Sequence, residues 1–477
     1  MFDVAIIGAG VVGAMTARFL AKYNLKICVL EKENDVAMGA SRANSGIVHA
    51  GYDCAPGTLK ARLNVEGAAM MEDICKALGV KFKRNGSLVI GFDEDDRKSI
   101  EKLMEKAKAN GVEVELLDKA GIKAIEPNIS DAVTCALYAP TGGIVCPYDL
   151  TIAAMGNAMD NGAKLLRNFP VCAVEKIPGG YKISSENQAV EARFVVNCAG
   201  LYSDAVAKMA GDDSISVHPR KGEYMLLDKE CGDLVKNTIF RTPSKMGKGI
   251  LVSPTVDGNL LLGPTSVDRE DKEDKDTTAE GFAEIITKAK ENVPAIPFGK
   301  VITSFCGLRA AGNTGDFIIT GADGFVNAAG IESPGLSASP AIAKYIAEIL
   351  REQGLELAEK PDYIATRKSS HHFRDASLEE KNAMIKENPA YGRIICRCEG
   401  VTEGEILDAI RRNPGATDLD GVKRRTRAQM GRCQGGFCMP YVTELLAKEL
   451  GIGYEEVTKC GGKSVINVGK TKGGMAQ

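Results

Sequence analysis

Val4-Ala-Ile-Ile7 is a continuous, largely β-branched apolar run behind Asp3, and Gly8 ends it, which predicts a short buried strand. Ala14 to Tyr23 then has helical composition, and Lys26-Ile-Cys-Val-Leu30 predicts a second strand closed by Glu31. Three later stretches also read as strands: Phe194-Val-Val-Asn-Cys-Ala199, Val217 to Leu227, and Gly258 to Gly263. Asp268 to Asp276 is a mixed-charge run, expected to be a solvated loop leading into a helix. Lys360 to Pro389 is polar and helix-prone, the pattern of a connector. Beyond it, Thr402 and Glu405 have capping-box spacing and predict a helix through Arg412, and a last helix is expected from Tyr441 to Leu450. The opening apolar stretch lacks a basic leader and is broken by glycines, unlike a signal peptide. No run approaches the roughly 18 apolar residues of a membrane span.

The first turn carries chemistry. Gly8-Ala-Gly10-Val-Val-Gly13 lies between the strand and the helix, with an acid 18 positions after Gly13. Gly8 permits the tight turn, Gly10 lets backbone approach a pyrophosphate, and Gly13 lets helix and strand pack closely. The free N–H groups and positive dipole of the helix N-terminus suit phosphates. Glu31 is placed to accept from ribose hydroxyls, which favours FAD or NAD over NADP.

Composition narrows the class. In 477 residues, 60 basic side chains against 63 acidic ones give a net charge of −3. Neither nucleic acid nor an anionic membrane is implied as the main partner. The chain is 44% hydrophobic and 26% charged, ordinary for a globular protein of about three domains. Fourteen cysteines are too sparse for a disulfide framework, so reduced thiols and a cytoplasmic setting are expected. Four of them cluster: Cys396-Arg-Cys398, 34 intervening residues, then Cys433-Gln-Gly-Gly-Phe-Cys438. Clustered thiolates in a reducing compartment mean metal more often than disulfide, and structural zinc prefers C-x2–4-C pairs.

Gly39-Ala-Ser-Arg-Ala-Asn-Ser-Gly-Ile-Val-His49-Ala-Gly51 follows the acidic strand, and with Pro56-Gly-Thr-Leu-Lys-Ala it resembles the D-amino-acid oxidase-like FAD-dependent oxidoreductases. The fit is closest to the branch of L-2-hydroxyglutarate dehydrogenase and the glycerol-3-phosphate dehydrogenases, and spans most of residues 1–350. Phe194 to Asp204, Gly307-Leu-Arg309 and Gly330-Ile-Glu-Ser-Pro-Gly335-Leu-Ser-Ala agree with that family's order of motifs. The resemblance implies an α/β fold. A Rossmann-like FAD-binding domain (1–85, 145–215 and 300–355) would hold an inserted β-rich substrate domain (86–144 and 216–299). A connector (356–390), a small helical [2Fe–2S] domain (391–453) and a tail (454–477) would follow. It implies FAD contacts from Gly8, Gly10, Val12 and Gly13, from Glu31 and Lys32, and from Ser41, Arg42, Asn44, Ser45 and Gly46. Val171, Ala199 and Gly200 would add to these, as would Gly330, Ile331, Ser333, Pro334, Gly335 and Leu336 at a helix N-terminus aimed at the flavin.

His49, one of four histidines, is the candidate base or orienting group for a substrate hydroxyl; a structural loop histidine or a flavin attachment point are the other readings. Arg309 is the candidate anchor for an anionic group. Tyr224 and Lys245 are weaker substrate-binding candidates, and His371 and His372 fall in the connector. The C-x-C and C-x4-C arrangement resembles the bacterioferritin-associated ferredoxin-like domain, in which four cysteines bind a [2Fe–2S] cluster, so Cys396, Cys398, Cys433 and Cys438 are the expected ligands. Such a cluster carries a formal charge of about −2, which Arg397, Lys423, Arg424, Arg425, Arg427 and Arg432 could relieve. Partner docking is a second reading of the Lys423–Arg427 run.

Together these features point to a dehydrogenase that oxidises the secondary alcohol of a small anion and passes electrons to a partner subunit or carrier. The catalytic motifs resemble L-2-hydroxyglutarate dehydrogenase, and the segment at 330–335 lacks the Gly-Gly-Lys usual in glycerol-3-phosphate enzymes. The appended module resembles the anaerobic glycerol-3-phosphate enzymes. Because domain architecture reports the electron-transfer context, glycerol-3-phosphate is the expected substrate and a 2-hydroxy acid the alternative. A non-catalytic relay subunit with a zinc-stabilised interaction domain is the alternative of another class.

Overall fold

The computed structural model describes residues 1–242, 249–368 and 373–469, so Lys245, His371 and His372 lie outside the described residues. The chain enters as strand β1 (Phe2–Ile7), helix α1 (Val11–Leu20) and strand β2 (Ile27–Leu30), followed by helix α2 (Leu59–Leu78). After an excursion into a second sheet, β3 (Lys164–Leu166) and β4 (Ala189–Asn197) return to the first. Strands β5 (Val217–Leu227) and β6 (Val301–Gly312) belong to the second, and β7 (Phe325–Ala329) leads back into helix α3 (Gly335–Glu352).

Among the described residues the first sheet has eight strands, with β7, β4, β1, β2 and the edge strand β3 running parallel in that order. β1 is buried over Val4–Ile7 because helices cover one face and a hairpin layer the other, which is why its sequence does not alternate. Helices α1, α2 and α3 pack on this sheet around Met15, Leu20, Leu63, Met71, Ile342 and Ile346.

Among the described residues the second sheet has nine strands and a separate core built on Leu88, Ile90, Val252, Leu260, Leu262 and Ile285. Its longest pairing is β5 with β6, antiparallel from Val217↔Gly312 to Leu227↔Val301. Residues 301–312, which the motif order groups with the first sheet, are therefore hydrogen-bonded into the second one. Length decides this: a twelve-residue strand saturates its backbone groups along an eleven-residue neighbour.

The third unit contains α4 (Glu403–Arg411), α5 (Leu419–Thr426) and α6 (Met439–Leu450) around a small core of Ile406, Leu419, Val422, Val442 and Leu446. Thr402 caps α4 through Glu405 N–H, and the Glu405 carboxylate accepts from Thr402 N–H at 2.8 Å, completing the expected capping box. Among the described residues no helix is long and apolar enough to cross a membrane.

Arg424, Arg425 and Arg427 of the basic run are buried ties between units rather than an open docking patch. Arg425 makes two bonds of 2.7 Å to the Asp35 carboxylate, and Arg424 adds one of 2.6 Å. Arg427 bonds Glu399 at 2.9 Å, Asp257 at 2.7 Å and Asn259 at 3.0 Å. Asp35 belongs to the loop after β2 and Asp257 to the second sheet, so these cations tie the cysteine module to both other units. Burial opposes ionisation of Asp35, but the Arg425 and Arg424 guanidiniums outweigh it and hold the carboxyl well below the usual range. Burial exacts a desolvation cost, so the sequence pattern of an exposed charge run misleads here.

Candidate active site

A cavity of about 940 Å³ runs from the β1–α1 turn, past β2, to the β5–β6 face of the second sheet. Gly8 sits at φ 101°, and a Cβ there would meet the Cys198 carbonyl at 2.5 Å. A Cβ at Gly13 would lie 2.0 Å from the Gly8 carbonyl, which is the close helix–strand packing the spacing implied. At Gly10 it would meet only Ser41 Oγ at 3.2 Å, so the turn is open on the cavity side. Ser41 Oγ accepts from Val11 N–H at 2.8 Å and lines the cavity beside the first turn of α1.

At one end, Glu31 Oε2 accepts from Ala9 N–H at 2.8 Å and Oε1 from Glu33 N–H at 3.0 Å. Burial raises its carboxyl despite those two donors, which leave it oriented toward the cavity end where a ribose would lie. The charged segment 268–276 is largely exposed and leads into the helix Ala279–Asn292, as expected, but its charges have partners elsewhere in the chain. Glu273 bonds both Lys32 (3.3 Å) and the Tyr202 hydroxyl, and Lys272 bonds Asp204 at 2.7 Å. Buried Lys221 holds Asp274 at 2.7 Å. The segment straps that end of the cavity, and alternating charges signalled it without revealing what they would meet.

At the other end stand the groups expected for chemistry. His49 N–H donates to Ser337 Oγ at 2.8 Å, Ser337 lies in the first turn of α3, and His49 Nε2 is 3.3 Å from Ser333 Oγ. Arg309 is register partner to Arg220 across β5–β6 and donates to the Thr265 carbonyl at 3.2 Å. It also bonds Tyr224; burial raises that phenol, and Arg309 opposes the rise. Tyr224 is stacked on Phe305, centroids 4.7 Å apart. Lys60 Nζ lies 3.2 Å and Arg220 Nη1 3.6 Å from the Glu332 carboxylate at the same wall. A Cβ at Gly307 would lie 1.9 Å from the Ala43 carbonyl, so this glycine lets β6 reach the 39–46 loop.

The cavity is lined by Gly8, Gly10, Val12, Glu31, Lys32, Ser41, Asn44, Ser45, Val171, Ala199 and Gly200, and by Ile331, Ser333, Pro334, Gly335 and Leu336. Of the residues expected near a flavin, Gly13 and Gly330 act through backbone packing behind the lining. Arg42 and Gly46 face a second cavity of about 290 Å³ between the 42–46 loop and the cysteine module. Lys60, Arg220 and Glu332 were not singled out from the sequence. Two-residue alternation from Tyr224 would have found Arg220, whereas Lys60 and Glu332 carry no local signal.

The four clustered cysteines form two pairs. Cys398 and Cys433 have sulfurs 3.5 Å apart, and Cys396 bonds Cys438. The hydrogen bond from Cys438 pushes the Cys396 thiol down to about 6, while the Cys438 thiol rises. Burial opposes the Cys433 thiolate, but Cys398 and the N–H groups of Gly435, Gly436 and Phe437 lower it below the usual thiol range. Each pair thus contains one thiol shifted toward the thiolate. Among the described residues no three His, Cys, Asp or Glu side chains converge as for a single metal ion. Two pairs, one for each iron, fit a binuclear cluster better than one zinc.

A model of the family described as "FAD dependent oxidoreductase" matches residues 3–349. The chain belongs to the FAD dependent oxidoreductase family. A second model, "BFD-like [2Fe-2S] binding domain", matches residues 394–448, which contain all four clustered cysteines. Over 476 residues, 99% of each chain, the oxidoreductase is 49% identical to a Caloramator mitchellensis protein called glycerol 3-phosphate dehydrogenase. It is 33% identical over 284 residues to the human mitochondrial L-2-hydroxyglutarate dehydrogenase, covering 56% of this chain and 61% of the other. Among solved structures, FAD-bound L-alpha-glycerophosphate oxidase from Mycoplasma pneumoniae superposes with TM-score 0.73 at 30% identity, over 77% of this chain and 98% of that one. The open Gly10 turn and the long cavity fit FAD, and the paired thiols fit the [2Fe–2S] group.

Proposed function

We propose that this oxidoreductase converts sn-glycerol-3-phosphate to dihydroxyacetone phosphate in the cytoplasm and exports the electrons through the cysteine module to a protein acceptor. The observation that carries the substrate is the extent of similarity: the match to the glycerol 3-phosphate dehydrogenase covers 99% of the chain, cysteine module included, whereas matches to hydroxyglutarate dehydrogenases cover 56% to 72% of it.

Bound FAD supplies the hydride-accepting chemistry, and the chain supplies position and charge. Arg309, braced by Tyr224 and the Thr265 carbonyl, offers a planar fork to an oxyanion. Arg220 and Lys60 add positive potential at the same wall, partly offset by Glu332. His49, with its main chain fixed to Ser337 and its ring beside Ser333, takes the proton of the substrate hydroxyl at Nε2.

Anaerobic mixing of the flavin-loaded protein with each substrate tests this. Glycerol-3-phosphate is expected to bleach the flavin absorbance, with L-2-hydroxyglutarate much slower. Bleaching by the hydroxy acid alone would transfer the assignment to that substrate, and no bleaching by either would favour a relay subunit.

A further inference from the structure

Electrons taken from the substrate must leave through some surface, and one surface of the cysteine module has the required character. Phe437, inside the Cys433–Cys438 loop, is 78% exposed, while its own N–H donates to the Cys433 sulfur. Ile394, two residues before Cys396, is 52% exposed, and Tyr441, three after Cys438, is 48% exposed. The Arg393 guanidinium lies 5.8 Å from the Tyr441 ring centroid, which places the two cysteine segments side by side. Cys398, one ligand of the second pair, is itself exposed. Exposed apolar side chains flanking a redox centre mark an interaction surface.

Charge says what kind of molecule would cover them. Residues 393–398 and 430–441 contain three arginines and no acid. Arg393 and Arg432 keep 60% exposure although they pair with Glu403 and with Asp228 and Glu230. Arg397 is exposed and has no ion pair among the described residues. Arg424, Arg425 and Arg427 are buried against Asp35, Asp257 and Glu399, so they add little to the positive potential outside.

We propose that Phe437, Tyr441 and Ile394, rimmed by Arg393, Arg397 and Arg432, form the docking site of a small one-electron carrier protein with an acidic face around its redox group. Rapid, weak electron-transfer encounters use such small interfaces, with an apolar centre for coupling and unlike charge for steering. This rests on the proposed dehydrogenase activity. Oxidation of one secondary alcohol to a ketone releases two electrons and two protons, so each turnover reduces two carrier molecules by one electron each.

The test uses the full chain loaded with FAD and cluster, glycerol-3-phosphate as donor, and three acceptors: oxidised rubredoxin as an acidic carrier, cytochrome c as a basic one, and a small indophenol dye. Wild type is expected to reduce rubredoxin at a rate that falls steeply as ionic strength rises through about 0.05 to 0.3 M. Phe437→Ala and Arg393→Gln should each lower that rate about tenfold, the scale of an interface hot spot. Dye reduction and the electron paramagnetic resonance signal of the dithionite-reduced cluster should stay at wild-type values. Salt-insensitive rubredoxin reduction, preference for cytochrome c, or variants that match wild type with rubredoxin would overturn the docking site while dye turnover leaves the dehydrogenase intact. Absence of dye turnover in wild type would instead remove the underlying activity, and the docking site with it.

Discussion

At the β1–α1 turn the surface offered to a cofactor is backbone: Gly8 at φ 101°, Gly10 without a side chain, and Gly13 pressed against a carbonyl. In the cysteine module it is four side chains on two short segments 34 residues apart. The first site therefore depends on the absence of Cβ atoms and spreads its contacts over much of a 940 Å³ cavity. The second concentrates everything in four sulfurs. A dispersed site should fail by degrees, and a concentrated one all at once.

Cys433→Ser is the sharpest way to separate them. It should abolish the visible absorbance and paramagnetic signal of the cluster while flavin content per chain stays at wild-type level; loss of both groups together would show that the two sites are not independent. Next in size, Gly13→Val should remove FAD or prevent folding, since the 2.0 Å approach to the Gly8 carbonyl leaves no room, whereas Gly10→Ala should bind FAD more weakly and keep the cluster. Equal FAD affinity in Gly10→Ala and wild type would break the backbone argument.

Within the cavity, Arg309→Ala should lower kcat/KM for glycerol-3-phosphate by about a hundredfold, roughly 3 kcal/mol for a charged hydrogen-bonding anchor. Steady-state kinetics with the dye as acceptor measure this, and an unchanged value would move the anchor to Arg220 and Lys60. Felt in stability rather than in turnover, Asp35→Asn leaves Arg424 and Arg425 buried without their counter-charge. A cost of about 3–5 kcal/mol is expected, expressed as easier proteolysis between the oxidoreductase body and the cysteine module rather than loss of FAD. The same pair sets an acid limit. Because the folded Asp35 carboxyl is depressed, its stabilisation is complete above the unfolded value of about 3.9 and is lost as pH falls below it. Wild type, but not Asp35→Asn, should therefore lose module docking progressively below about pH 4.

The dispersed and the concentrated site were also unequally legible. Strand, glycine turn, helix, strand and acid lie within 31 residues, so local sequence contains nearly all of that geometry. The cysteine spacing is equally local within each pair. The partners of the strap at 268–276 and of the Lys423–Arg427 run stayed hidden for one reason: a charge pair is legible only when both members are near in sequence. Asp35 lies 390 residues from Arg425, and Glu273 lies 241 from Lys32. The same distance hid Lys60 and Glu332, 272 residues apart, which meet only because α2 and the α3 entry pack on one sheet.

By itself the sequence determined the cofactor chemistry, because a phosphate-approaching turn and paired thiolates are made from residues within a few positions of each other. Only the tertiary structure decided which strand belongs to which sheet, which charges are ties rather than patches, and which cations converge on the substrate wall. Those outcomes depend on long-range burial, where a charge keeps its place only if the folded chain brings it a counter-charge or leaves it water.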